Sequence, residues 1–277
     1  MPRVALLDNT VQIDRQKYKM RRDRIDALLE GFDFTVATSI CLLEFKATLI
    51  QECITIHNKL HAVGHYTPVV DKLTESAHRQ ARLRGHIVRN LINVYAPSSF
   101  TISEQHDRRL AEKARLALER VIPRLYKWFT DKSVDAILKD DVQCTRALEP
   151  PRKKKVAFDV NLPICRRRKN KFCHIEEFVR KHGPFILGKL SAYLDQLPSD
   201  AAPQLRAARA LFRDVMSDPN IELSHTQCRR AGDCLIALEG MEHSTHALSS
   251  NPAEWEPICT MLSRQFVRVD FPAEKTI

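Results

Sequence analysis

Glycine is scarce in this chain, 7 of 277 residues, and none falls in G-x-x-x-x-G-K-S/T or G-x-G-x-x-G. Without such a phosphate cradle, a nucleotide-driven motor and a dinucleotide oxidoreductase are disfavoured. Long apolar runs are missing too, so no segment has the length of a membrane span. No Ser or Cys sits in a G-x-S-x-G elbow, and the 11 histidines form no H-E-x-x-H pair. Acidic residues are the minority, 34 against 44 Lys and Arg, which leaves a formal charge of +10. Such a balance suits an anionic partner such as nucleic acid, although basic surfaces also occur without that role.

What is present is material for a large ordered core. At 277 residues the chain can form one large domain or a core domain with an added lobe, and the second is expected. Stretches of helix formers and 28% charged residues predict a helix-rich, ordered protein with no internal repeat. Val4 to Leu7 is too short for the apolar core of a secretory signal, so a cytoplasmic protein is expected. The 8 cysteines are scattered, and Cys41, Cys53, Cys234 and Cys259 lie among apolar neighbours, as buried reduced thiols do. Cys165, Cys173 and His174, with Cys144 and Cys228, invite a zinc reading, but their spacing is wider than that of the usual pairs. His57, His61 and His65 would share one face only if a helix ran through Gly64.

Taken in order, Val4 to Leu7 reads as a buried parallel strand ending in an acidic turn at Asp8, Asn9 and Thr10. Ligand sites of open parallel sheets lie outside the carboxyl ends of strands, yet Asp is also an ordinary turn residue. Residues 16 to 31 predict a helix, 34 to 40 a β-branched strand, and 41 onwards a helix with Glu44 in its first turn. There Glu44 is either a dipole-complementing surface carboxylate or part of a site. Strand, helix, strand, helix implies a parallel sheet. Residues 42 to 62, 67 to 95 and 104 to 130 show helical spacing, the last with an apolar stripe interrupted at Pro123. Residues 175 to 194 and 203 to 216 predict further helices, the latter with Leu205, Ala208, Leu211, Phe212 and Val215 inward. Residues 221 to 224 are a candidate inner strand and 265 to 269 a candidate edge strand.

Between these helices the charge concentrates. Pro150 and Pro151 mark a linker that runs into Arg152, Lys153, Lys154 and Lys155, and a second cluster follows at Arg166, Arg167, Arg168, Lys169 and Lys171, beside Phe172. Such a stretch can neutralise phosphates while an aromatic ring stacks on a base, or it is simply a solubilising loop.

The most informative stretch lies near the end. Gly232-Asp233-Cys234-Leu235-Ile236-Ala237 opens a short amphipathic helix with Asp233 at its N-terminal end, where a carboxylate caps a helix or holds a metal. A brief strand, His246 to Ser249, then leads through Ser250 and Asn251 to a helix that has Pro252 first and Glu254 and Trp255 within its first turn.

This Gly-Asp-x-x-Ile-Ala helix, followed by Ser-Ser-Asn-x-x-Glu-Trp-x-Pro-Ile, resembles the PIN-domain nucleases, as does the strand and helix carrying Glu44. The resemblance implies an α/β fold with a PIN-like parallel sheet flanked by helices. It covers residues 1–60 and 218–277, with 61–217 as a mostly helical insertion lobe whose basic linker spans 150–173; the gap from Glu44 to Asp233 is 233 − 44 = 189 positions. It further implies that Asp8, Glu44 and Asp233 bind Mg²⁺ or Mn²⁺, that Asn251 or Glu254 assists, and that the product is a cut phosphodiester in RNA, with DNA as the less favoured substrate. Many members carry Asp where this chain has Asn251. A PIN-like module that binds nucleic acid or protein without cutting is therefore the alternative, and a toxin held by an inhibitory protein partner is a variant of the nuclease reading.

Overall fold

The computed structural model describes residues 2–17, 19–77, 79–93, 103–138, 150–159, 174–218, 221, 231–240 and 242–271. Its centre is a parallel sheet of five strands, β1 (Val4–Leu7), β2 (Phe34–Thr38), β3 (Ala136–Leu138), β6 (His246–Ser249) and β7 (Gln265–Arg268). In space their order is β3-β2-β1-β6-β7. The alternation of apolar strands with helices is what makes the sheet parallel, because each crossover helix covers a face and leaves the strand buried on both sides. Ala5, Leu6 and Leu7 of β1 are fully buried. From β1 the chain builds outward on one side through β2 and β3, then returns to build on the other through β6 and β7. The direction of winding therefore reverses between β1 and β6, which opens a crevice outside their carboxyl ends.

Among the described residues the helices, in chain order, are α1 (Asn9–Lys17), α2 (Lys19–Leu29), α3 (Ser39–Phe45), α4 (Gln51–Val63), α5 (Lys72–Thr74), α6 (Arg79–Ile92), α7 (Glu104–Lys132), α8 (His174–Leu194), α9 (Pro203–Ser217), α10 (Gly232–Gly240) and α11 (Pro252–Met261). Two π-helical turns, Lys46–Ile50 and Thr67–Asp71, interrupt the series. The α/β class expected from the sequence is the one found, and α9 buries the five residues its periodicity selected, Leu205, Ala208, Leu211, Phe212 and Val215. Cys41, Cys53, Cys234 and Cys259 are buried free thiols. Among the described residues no helix is long and apolar enough to cross a membrane.

Several boundaries differ from the sequence expectation, each for a local reason. Helix α1 begins at Asn9, directly after Asp8, where a turn was expected. The strand expected to reach Ile40 stops at Thr38, whose hydroxyl accepts the N–H of Cys41 at 3.3 Å and caps α3. Glu44 thus stands in the second turn of its helix, beyond the N-terminal dipole that would explain a surface carboxylate. Helix α7 passes through Pro123 without ending, and Leu118, Ile122, Leu125 and Phe129 stay on its buried face. The lost hydrogen bond at Pro123 is outweighed by the packing of that face against α4.

The expected division at residues 61 and 217 also changes. An edge strand of the central sheet, β3, comes from inside the stretch read as an insertion, and three residues were too few to show a period. Of the candidate strand at 221 to 224, residues 222 to 224 lie outside the described residues. The basic linker is not a loop throughout. Lys153–Lys154 (β4) and Ala157–Phe158 (β5) pair as an antiparallel hairpin.

Side chains of α4 and α7 dock this hairpin. Asn58 of α4 accepts the Phe158 N–H at 3.1 Å and donates to the Phe158 carbonyl at 2.9 Å, completing a strand edge with a side-chain amide. Beside it His57, fully buried, sits edge-on to Phe158 and bonds Glu119 of α7, which also pairs with Lys153 at 2.7 Å. Asn58→Ala removes both hydrogen bonds to the backbone and is expected to destabilise the protein by about 2 kcal/mol, about 1 kcal/mol for each bond. Denaturant titration measures the loss, and amide exchange at Phe158 shows whether the hairpin opens first.

Candidate metal centre

The crevice between β1 and β6 is where the acidic residues meet. Asp8 directly follows β1, Glu44 projects from α3, and Asp233 is the second residue of α10. One carboxylate oxygen from each lies within 4.8 Å of the others. The three come from positions 8, 44 and 233, so convergence is a property of the fold and not of any local motif. The three acids named from the sequence are therefore brought together as a group that could hold a metal ion.

Close approach depends on a glycine. A Cβ at Gly232 would stand 2.7 Å from Oε1 of Glu44, so the first residue of α10 must be bare for Glu44 to lie across it. Helix α10 is not amphipathic as its sequence suggested. Every residue from Gly232 to Gly240 is buried except Asp233, which alone looks into the crevice.

Neutral donors fix Asp8, which is 2% exposed. Its Oδ2 accepts from Thr10 Oγ1 at 2.6 Å and from Ser249 Oγ at 2.7 Å, and its Oδ1 accepts the Asn9 N–H at 2.6 Å. Burial pushes the Asp8 carboxyl above its ordinary range, against the pull of these hydrogen bonds. Asp233 is pushed up to about 10, first by burial, then by the charge of Asp8, a hydrogen bond with Glu254, and the charges of Glu44 and Glu254. A carboxyl pair can share a hydrogen bond only if one member is protonated, and burial among Asp8, Glu44 and Glu254 favours the protonated form of Asp233. Burial and the charges of Asp8 and Glu44 likewise raise the Cys41 thiol, whose Sγ lies 3.5 Å from the Leu7 carbonyl, so it stays neutral.

The two remaining predicted residues join through Glu254. Asn251 precedes Pro252, as expected, but makes no cap with its side chain; its amide instead donates to Glu254 Oε2. A chain of hydrogen bonds thus runs from Asn251 through Glu254 to Asp233. Thr10 and Ser249 were not among the site residues expected from the sequence. Their signal was positional, Thr10 two residues after Asp8 and Ser249 two before Asn251.

Other candidates are placed elsewhere or lie outside the described residues. Helix α4 stops at Gly64, which has a φ of +73°, so His65 leaves the face of His57 and bonds Asp107 instead. Among the described residues no histidine belongs to the acidic cluster. Cys144, Cys165, Cys173 and Cys228, and the second basic cluster of Arg166, Arg167, Arg168, Lys169 and Lys171, lie outside the described residues. In the first cluster Lys153 pairs with Glu119 and Lys154 with Asp159, each at 2.7 Å, while Arg152 and Lys155 are exposed.

The donor set is the chemistry of a hard cation. Carboxylate oxygens from separate elements, with neutral groups orienting them, suit Mg²⁺, Mn²⁺ or Ca²⁺ more than zinc, which favours nitrogen and sulfur. Such an ion would offset the mutual repulsion of these carboxylates. Compared with known family models, with curated proteins and with solved structures, the chain matches none of them.

Proposed function

We propose that this chain is a PIN-like, metal-dependent endonuclease that hydrolyses phosphodiesters, with RNA as its preferred substrate. The observation that carries the reading is the convergence of Asp8, Glu44 and Asp233 at the reversal point of a parallel sheet. Their order and local settings are those of the nuclease resemblance, and the site sits where open α/β sheets bind ligands.

Asp8, Glu44 and Asp233 would hold Mg²⁺ or Mn²⁺. When bound, the cation supplies Lewis-acid chemistry, lowering the pKa of water and offsetting charge that develops on the phosphate. The chain's own residues do the rest. Thr10 and Ser249 occupy one oxygen of Asp8 and so set the direction of its carboxylate. Asn251 donates to Glu254 and sets the direction of its carboxylate. Glu254, beside Asp233, is then the group placed to accept a proton from the attacking water.

Substrate binding extends beyond the centre. From Glu44 to Asn58, which anchors the basic hairpin, is 58 − 44 = 14 residues of nearly continuous helix. At about 1.5 Å per residue the hairpin lies about 21 Å from the acids. A strand bound at both places is several nucleotides long. Replacing exposed Arg152 and Lys155 together by Glu is expected to weaken single-stranded RNA binding and to lower its salt slope by about 0.7 for each phosphate that is no longer neutralised. Affinity measured across a salt series reads both.

The deciding experiment is cleavage of labelled single-stranded RNA, structured RNA and DNA with Mn²⁺, Mg²⁺ or a chelator. RNA cut only with metal, and not by folded Asp8→Asn or Asp233→Asn, is the expected result. Binding without cutting, unchanged by either substitution, would replace the nuclease with a nucleic-acid-binding module.

A further inference from the structure

The turn from β6 into α11 is held from a second direction. Asp14 of α1 is 3% exposed; its Oδ2 accepts from Ser250 Oγ at 3.0 Å and its Oδ1 from Arg21 Nη1 at 2.8 Å. The Arg21 guanidinium in turn lies over the Phe271 ring, 4.5 Å from its centroid. The N–H of the same Ser250 donates to Thr10 Oγ1 at 3.3 Å. Thr10 and Asp14, four residues apart on one face of α1, therefore grip Ser250 by backbone and side chain together.

Ser250 stands between the two residues that reach the acids. On one side the Ser249 hydroxyl donates to Asp8, and on the other the Asn251 amide donates to Glu254. The Asn251 N–H also folds back onto Ser249 Oγ at 3.0 Å. Asn251, at φ −115° and ψ 77°, precedes Pro252, which restricts it to extended backbone. A buried carboxylate shared between a guanidinium and a hydroxyl adds little net stability over apolar packing, but it does fix direction.

We propose that Asp14 is a positioning residue for the metal centre, acting through Ser250 to hold Ser249 on Asp8 and Asn251 on Glu254. The inference rests on the metal-dependent reading given above. Loss of the Ser250 hydroxyl frees the turn, and both reaching side chains lose their aim.

The test is equilibrium binding of Mn²⁺ alone, followed by the electron paramagnetic resonance of the free ion, with thermal unfolding of the metal-free proteins alongside. Ser250→Ala is expected to weaken Mn²⁺ binding about 10-fold, the range for groups that orient metal ligands. Its metal-free unfolding temperature should fall by about 3–6 °C, the cost of one hydrogen bond to a buried carboxylate in a chain of this size, and Ser250→Thr should restore it. Ser250→Thr keeps the hydroxyl and should restore binding to within about 3-fold of native, while Asp14→Asn, which still accepts from Ser250 but loses Arg21, should fall between. Native-like Mn²⁺ affinity in Ser250→Ala, or equal losses in the Ala and Thr variants, would overturn the proposal. If the native protein and Asp233→Asn are alike in taking up no Mn²⁺, the metal reading falls and this inference falls with it.

Discussion

Asp233→Asn is expected to abolish metal-dependent cleavage and, in the absence of metal, to make the protein more stable. On the proposed reading, the loss of activity follows from removing one of three ligands to the cation. Several kcal/mol of transition-state stabilisation go with it, about 10³-fold in rate at about 1.4 kcal/mol per factor of ten. The gain in stability follows from the carboxyl being pushed up to about 10 by burial and by the neighbouring acids. A group whose folded-state value lies above its unfolded value favours folding most at acid pH. That advantage is lost progressively as pH rises from about 4 to about 10. Native Asp233 is therefore a growing liability between pH 5 and 9, and Asn is not.

The metal-free variant should accordingly unfold at a higher temperature than the native chain, by about 2–4 °C for each kcal/mol relieved, with a difference that widens as pH increases. Mn²⁺ reverses the order. At about 100 times its dissociation constant it should stabilise the native protein by about 2.7 kcal/mol and leave the variant unmoved. Calorimetry at pH 5, 7 and 9, with and without Mn²⁺, checks all three statements. A variant less stable than native at every pH would show that Asp233 serves the fold and not an ion.

Gly240→Ala is expected to be the most damaging single-methyl change near the site. Helix α10 lies so close to β1 that a Cβ at Gly240 would come within 3.0 Å of three outer atoms of Leu6. Leu6 is fully buried in the central strand, so its side chain has no free direction in which to retreat. Helix and sheet must separate, or Leu6 must leave its rotamer. Forced insertions of this kind cost about 3 kcal/mol at the upper end, which corresponds to about 10 °C in a domain of this size. Leu6→Ala in the same background should recover part of the loss by making room, a coupling that a double-mutant cycle measures directly. Because α10 carries Asp233, the variant should also bind Mn²⁺ more weakly. Unchanged stability would mean that α10 does not press on β1 at this point.

Much of this arrangement was legible in order but not in space. Asp8, Glu44 and Asp233 were visible because each stands in a recognisable setting, a strand end, a helix after a β-branched strand, and the start of a helix after glycine. Glu44 was assigned to the wrong turn because a strand and a capped helix share β-branched residues, and only the Thr38 hydroxyl on the Cys41 N–H decides the boundary. Helix α10 read as amphipathic because period alone cannot register a helix buried on all sides. Strand β3 went unseen because three residues carry no period, while its pairing with β2 depends on partners 100 positions away, as in Val36 with Ala136.

By itself, then, the sequence determined the alternation of strands and helices, the inward face of α9, the burial of four cysteines, and the three acids that the fold brings together. These are local matters, set by side-chain period, caps and apolar neighbours. Only the tertiary structure decided that the sheet reverses its winding between β1 and β6, that Gly232 is bare beneath Glu44, and that Thr10, Asp14 and Ser249 hold the turn around Asn251. Those depend on distances between elements up to 241 residues apart, and such distances are fixed by how helices and strands pack, not by any signal within one segment.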